Sequence, residues 1–79
     1  MNNLKVYNEV FCEVFEIEED ELGESLVYQS IELWDSVGHM ALIAELEERF
    51  NIELEMDDVI DFSSYAEGKR RLLKYGIEL

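Results

Sequence analysis

Asp35-Ser36-Val37-Gly38-His39-Met40-Ala41-Leu42-Ile43-Ala44-Glu45-Leu46-Glu47-Glu48-Arg49-Phe50 is the stretch around which the rest of the chain can be read. Asp35 and Ser36 are both favoured at helix N-termini, where a short side-chain oxygen accepts a free backbone N–H. The periodic run behind them predicts a helix from about Ser36 to Phe50. Ser36 then stands at the exposed, electropositive end of that helix, with Asp35 as the cap. At about 100° per residue, His39, Leu42, Ile43, Leu46 and Phe50 share one arc, the expected core face. Val37, Met40, Ala41 and Ala44 share another arc with Glu47 and Glu48, which is more apolar surface than one core contact uses. An apolar stripe edged with acids suits docking to another protein, and Met40 suits a surface that meets several partners.

Upstream, Leu4, Tyr7, Val10, Phe11, Val14 and Phe15 recur at three and four after an Asn2 or Asn3 cap, predicting a helix that ends near Ile17. Its aromatic stripe, Tyr7, Phe11 and Phe15, reads as plain core. From Glu18 to Glu32 the periodicity breaks into a charged, Gly23-punctuated loop anchored by Leu22, Leu26, Tyr28 and Ile31, and Trp34 reads as a packing anchor at its end. Downstream, Asn51 ends the long helix in a left-handed conformation and Ile52 returns to the core. Asp57 to Phe62 forms a short third helix with acids where the macrodipole favours them. Ser64 and Glu67 have capping-box spacing for a fourth helix, which Gly76 stops. Its basic cluster, Lys69, Arg70, Arg71 and Lys74, offsets the macrodipole and the surrounding acids. The expected core includes Val10, Val14, Leu42, Ile43, Leu46 and Phe50.

Seventy-nine residues make one small domain, 1–79, with a single modest core and no room for an enclosed active-site cavity. Twenty acids against six bases give a formal charge of −14, which repels nucleic acid and anionic lipid and favours cationic protein surfaces as partners. A hydrophobic content of 48% separates the chain from disordered acidic tails. One cysteine allows no internal disulfide, and no apolar run reaches the length of a signal or membrane segment, so a reducing cytoplasm and a monomer are expected. Cys12 lies among Glu9, Glu13 and Glu16, which suppress its thiolate.

Two other chemistries fail on the residues. Asp35, Ser36 and His39 are the residue types of a hydrolytic triad, but His39 falls on the core arc and Asp35 caps, so neither serves the hydroxyl. Glu18, Asp20 and Gly23 echo the start of a calcium loop, yet Leu22 and Gln29 stand where ligands are needed. No metal site is expected.

Trp34-Asp35-Ser36-Val37, followed by Gly38-His39-Met40 and the run Leu42, Ile43, Leu46, Glu47, Glu48 and Phe50, resembles the acyl carrier protein family. The resemblance covers essentially the whole chain. It implies an all-α, antiparallel four-helix bundle with a long first loop and a short third helix. It further implies that a phosphopantetheinyl transferase joins a 4'-phosphopantetheine arm from coenzyme A to Ser36. The carrier is then no enzyme itself: a loading ligase supplies acyl or aminoacyl cargo as a thioester, and downstream transferases or synthases with basic docking patches use it. By resemblance, Asp35, Val37, Met40, Glu47 and Glu48 match the family's recognition positions, and Ala44 joins them on the apolar stripe. Val37 replaces the usual leucine, and Gly38 and Ala41 stand where fatty-acid carriers commonly have acids. That departure points to a specialised pathway of polyketide, nonribosomal peptide or surface-polysaccharide type. The alternative is an acidic interaction module, an inhibitor or nucleic-acid mimic, that works without a prosthetic group.

The charge makes one expectation independent of function. Self-repulsion at −14 is screened by salt, so the melting temperature rises with ionic strength. A flat melting temperature between low and physiological salt overturns it.

Overall fold

Asn2 opens the first helix in the computed structural model, which describes residues 2–79; its side-chain oxygen accepts the Lys5 N–H at 3.1 Å. Helix α1 runs Asn3–Phe15 and stops at Glu16, which takes the left-handed conformation (φ 57°), slightly before the expected end near Ile17. Helices α2 (Ser36–Phe50), α3 (Met56–Asp61) and α4 (Tyr65–Leu73) follow, with a 3-10 turn at Glu19–Glu21 in the long first connection. The fold is all-helical, as expected. Among the described residues the extended backbone pairs only at an isolated antiparallel bridge, Val27 with Ser64.

The core joins one face of each long helix to side chains from the connections. Tyr7, Val10, Phe11 and Phe15 of α1 meet Leu42, Ile43 and Leu46 of α2, and Leu26, Trp34 and Phe62 fill the space between them from outside the helices. Trp34 has no exposed surface, lies stacked on Phe15 with centroids 5.0 Å apart, and meets the edge of Phe11 at 5.6 Å. Val14 and Phe50, expected in the core, are half-buried and pack against it. Ile52 packs half-buried against the core, as expected, and Leu54 of the same connection is buried, with the Glu47 carboxylate accepting the Leu54 N–H at 2.8 Å.

The long loop is pinned through its backbone. The Tyr28 N–H donates to the Ser63 carbonyl and the Tyr65 N–H to the Leu26 carbonyl, both at 2.9 Å, which ties the loop to the start of α4. The Tyr28 ring, expected as an anchor, packs edge-on against His39 with centroids 5.5 Å apart while keeping part of its surface exposed. At Gly68 of α4 an added Cβ would lie 2.3 Å from both Phe62 Cζ and the Tyr7 hydroxyl oxygen, so the missing side chain is what lets α4 approach α1. That hydroxyl is itself fixed, donating to the Tyr65 carbonyl at 2.6 Å.

Helix α4 begins as expected, with Ser64 Oγ accepting the Glu67 N–H at 2.9 Å. The reciprocal half of the capping box is not what occupies Glu67: its carboxylate pairs with Arg70 and Arg71. Asp57 and Asp58 lie in the first turn of α3, as expected, but Asp58 has further partners: it is 1% exposed and accepts hydrogen bonds from the Tyr75 hydroxyl, Lys74 Nζ (2.9 Å) and Arg71 (3.3 Å). The Tyr75 hydroxyl also accepts the Glu55 N–H at 3.0 Å, just before α3. The basic cluster offsets nearby acids as expected, with Arg70 and Arg71 in the last turn of α4 and paired to acids, while Lys69 lies 4.7 Å over the Tyr65 ring. Six residues are too few for a helix to be stable alone, so α3 exists because α4 holds it.

These bonds hold the Asp58 carboxyl below the usual carboxylate range, the Tyr75 hydroxyl first and Lys74 next. A carboxylate with a depressed folded pKa stabilises fully above its unfolded value of about 4, and that contribution disappears as pH falls through the folded value. Asp58→Asn should therefore lower stability at neutral pH by about 1–3 kcal/mol, a difference that shrinks on acidification. Urea melts of both proteins from pH 7 downwards measure it; a gap that stays constant overturns the assignment.

Candidate functional site

Asp35 sits in extended conformation before α2, and its Oδ1 accepts the Gly38 N–H at 2.8 Å while its carbonyl accepts the His39 N–H at 2.7 Å. Ser36 is therefore the first residue of the helix, with an exposed side chain, and capping falls to Asp35 as the sequence suggests. The loop folds tightly onto this turn. The Gln29 N–H donates to the Trp34 carbonyl at 2.9 Å, with Gln29 left-handed (φ 68°), and the Trp34 N–H donates to the Ile31 carbonyl. The Leu33 carbonyl oxygen lies only 1.8 Å from where a Cβ on Gly38 would be. Glycine is required there by backbone packing.

His39 is half-buried one turn below Ser36. Its Nδ1 lies 3.0 Å from the Trp34 indole nitrogen, and its Nε2 lies 2.8 Å from the Val59 carbonyl oxygen. Both ring nitrogens are engaged away from Ser36, so the triad fails on geometry as it does on sequence.

An open apolar groove of about 360 Å³ borders Ser36. One wall is His39 and Met40 of α2 and the other is Met56, Val59 and Ile60 of α3; Tyr28, Phe62 and Ser63 also contribute. An enclosed cavity was not expected, but neither was this open one. The available signal was Met56, Val59 and Ile60 at helical spacing, of which only Val59 packs against the core.

The rim of the groove is exposed and hydrophobic: Val37 is 77% exposed, Met40 57%, Met56 71% and Ile60 68%. Ala41, Ala44 and Glu48 are exposed beside them, so the apolar stripe of α2 is not covered by the preceding loop. Glu47, grouped with the stripe on sequence, is half-buried and commits one carboxylate oxygen to Leu54. The α3 half of the surface was missed.

Elsewhere, Glu18 and Glu21 of the suspected calcium loop serve the 3-10 turn, with the Glu18 N–H donating to Glu21 Oε2 at 2.9 Å. Among the described residues no group of three or more His, Cys, Asp or Glu side chains is placed to hold a metal ion. The Cys12 thiol is pushed up first by burial and then by Glu19, Glu18, Glu21 and Glu13, so the acids that act on it come mainly from the turn rather than from α1. No helix among the described residues is long and apolar enough to cross a membrane.

A family model described as a phosphopantetheine attachment site matches residues 8–71. The chain belongs to that family. It is a phosphopantetheine-carrying carrier protein, and such a carrier works with enzymes that modify it and enzymes that use its cargo. Comparisons with curated proteins and with solved structures gave no significant match. The residues present fit the group: an exposed hydroxyl stands at a helix N-terminus, where amides and dipole favour a phosphate, beside an apolar groove.

The Leu33–Gly38 contact can be tested directly. Gly38→Ala should destabilise the carrier by about 1–3 kcal/mol through overpacking, although alanine is intrinsically the better helix former by about 1 kcal/mol. Denaturant melts decide; unchanged or increased stability means the loop yields freely.

Proposed function

We propose that Ser36 is the attachment residue, and that this carrier holds acyl or aminoacyl groups as thioesters on a 4'-phosphopantetheine arm for partner enzymes of a specialised biosynthetic pathway. The observation that carries the proposal is the exposed Ser36 hydroxyl at the first position of a fifteen-residue helix. Ser64 is occupied as a helix cap, and Ser30 Oγ accepts the Val27 N–H. Ser63 also borders the groove but begins no helix.

In the modification, Ser36 Oγ forms a bond to the pantetheine-bearing phosphorus of coenzyme A as the pyrophosphate P–O bond breaks, adenosine 3',5'-bisphosphate leaves, and the hydroxyl proton passes to the transferase. The carrier supplies no base for this step, since Asp35 holds Gly38 and His39 holds Trp34 and Val59. That supports a protein acted upon rather than a catalyst. Once attached, the group supplies a thiol that holds cargo as a thioester. The first amides of α2 stabilise the phosphodiester charge at Ser36. Val37, Met40 and Ala44, with Met56 and Ile60 from α3, offer partners an apolar contact, and Asp35 and Glu48 offer charge to a basic rim. The free oxygen of Glu47 contributes from the edge. Reduced charge at Gly38 and Ala41 favours partners outside housekeeping fatty-acid synthesis.

Incubation with coenzyme A, magnesium and a promiscuous phosphopantetheinyl transferase should add the mass of one phosphopantetheine. Ser36→Ala should abolish the gain and Ser63→Ala should leave it. An unmodified mass across several transferases, or a gain that survives Ser36→Ala, overturns the proposal and favours the unmodified acidic module.

A further inference from the structure

The α3 half of the exposed apolar surface belongs to a helix that does not stand by itself. Its N-terminal side is held by Arg71 of α4 and by Lys74 and Tyr75 just after that helix, through Asp58 and the Glu55 N–H. On the groove side the polar tie is His39. An indole N–H can only donate, so His39 Nδ1 accepts from Trp34; Nε2 then carries the hydrogen and donates to the Val59 carbonyl. Val59 lies among the last four residues of α3, whose carbonyls have no partner within the helix. The N–H of Ser63, which a continuing helix would bring to it, turns instead to the Asp61 carbonyl at 2.8 Å. His39 therefore completes α3 at its end and ties it to a side chain with no exposed surface.

We infer that His39 is a positioning residue for partner recognition: it bridges the buried Trp34 to α3, and so fixes the separation between Val37 and Met40 on α2 and Met56 and Ile60 on α3. This rests on the carrier reading. The four side chains are useful as one surface only if the two helices keep their spacing, because a partner that must first order α3 loses affinity. The occupant is the modifying transferase, meeting this surface with an apolar patch inside a basic rim. Asp57 of α3, Asp35 before α2 and Glu48 of α2 are exposed, on a chain of charge −14. Imidazole suits the bridge because it accepts on one nitrogen and donates from the other. Glutamine keeps an acceptor and a donor; leucine keeps the bulk and neither.

Two measurements on the full chain test this. In the unmodified protein, His39→Leu should speed amide exchange across α3 roughly five- to tenfold more than across α1, as expected for a lost net hydrogen bond of about 1 kcal/mol, and shift the Trp34 indole N–H resonance. His39→Gln should restore most of both. Exchange in α3 that rises no more than in α1, or glutamine behaving like leucine, overturns the bridge. In the transferase assay, His39→Leu should raise KM for the carrier roughly fivefold with little change in kcat, and His39→Gln should approach wild type. An unchanged KM overturns the role in recognition. A wild-type chain that takes no arm sinks the carrier reading, while amide exchange still decides whether His39 holds α3.

Discussion

Burial of the Trp34 indole is the constraint on which the geometry of the site depends. The ring is entirely enclosed, stacked on Phe15 and edge-on to Phe11, and a buried N–H left without an acceptor costs about 1–3 kcal/mol, so its orientation is set by His39 Nδ1 as well as by packing. The chain leaves this fixed point and within two residues reaches Ser36, with Asp35 between them closing the helix end. A serine so near a rigid core residue presents its hydroxyl from a defined place while remaining fully accessible to another protein.

The few positive charges are arranged with equal economy. Of six bases, Arg49 bridges Glu13 and Glu45, Lys69 covers the Tyr65 ring, Arg70 pairs with Glu67, and Arg71 and Lys74 converge on Asp58. Those cations are therefore committed to partners within the chain, and none of them lines the groove, whose wall is apolar. The net charge attracts basic partners at a distance and leaves close specificity to shape.

Much of this was legible because it is local. The α2 boundaries, the Asp35 cap, the left-handed Asn51 and the apolar stripe follow from neighbours within a turn or two. The identity of the family was legible in the same stretch. What escaped depends on partners distant in sequence. Asp58 looks like an ordinary first-turn acid until Tyr75, Lys74 and Arg71 are folded over it, and Glu47 like a surface acid until Leu54 arrives at its carboxylate. Tyr28 reads as an anchor by composition, but its partners, the His39 ring and the Ser63 carbonyl, both lie far along the chain. The groove left only the spacing of Met56, Val59 and Ile60 as a signal, for a related reason: it lies between two helices, and the position of the shorter is decided by side chains distant in sequence.

The close approach of the Leu33 carbonyl to Gly38 also limits how this protein can diverge. A position two residues after the serine, well placed to tune partner choice by charge, is closed to every side chain unless the loop before it is rebuilt. Drift toward a different set of enzymes must then begin elsewhere on the rim, at Val37, Ala41 or the outer face of α3, where substitution meets only solvent. Sequence variation among descendants of this chain should be channelled accordingly, with an inherited backbone contact acting as a historical constraint on recognition.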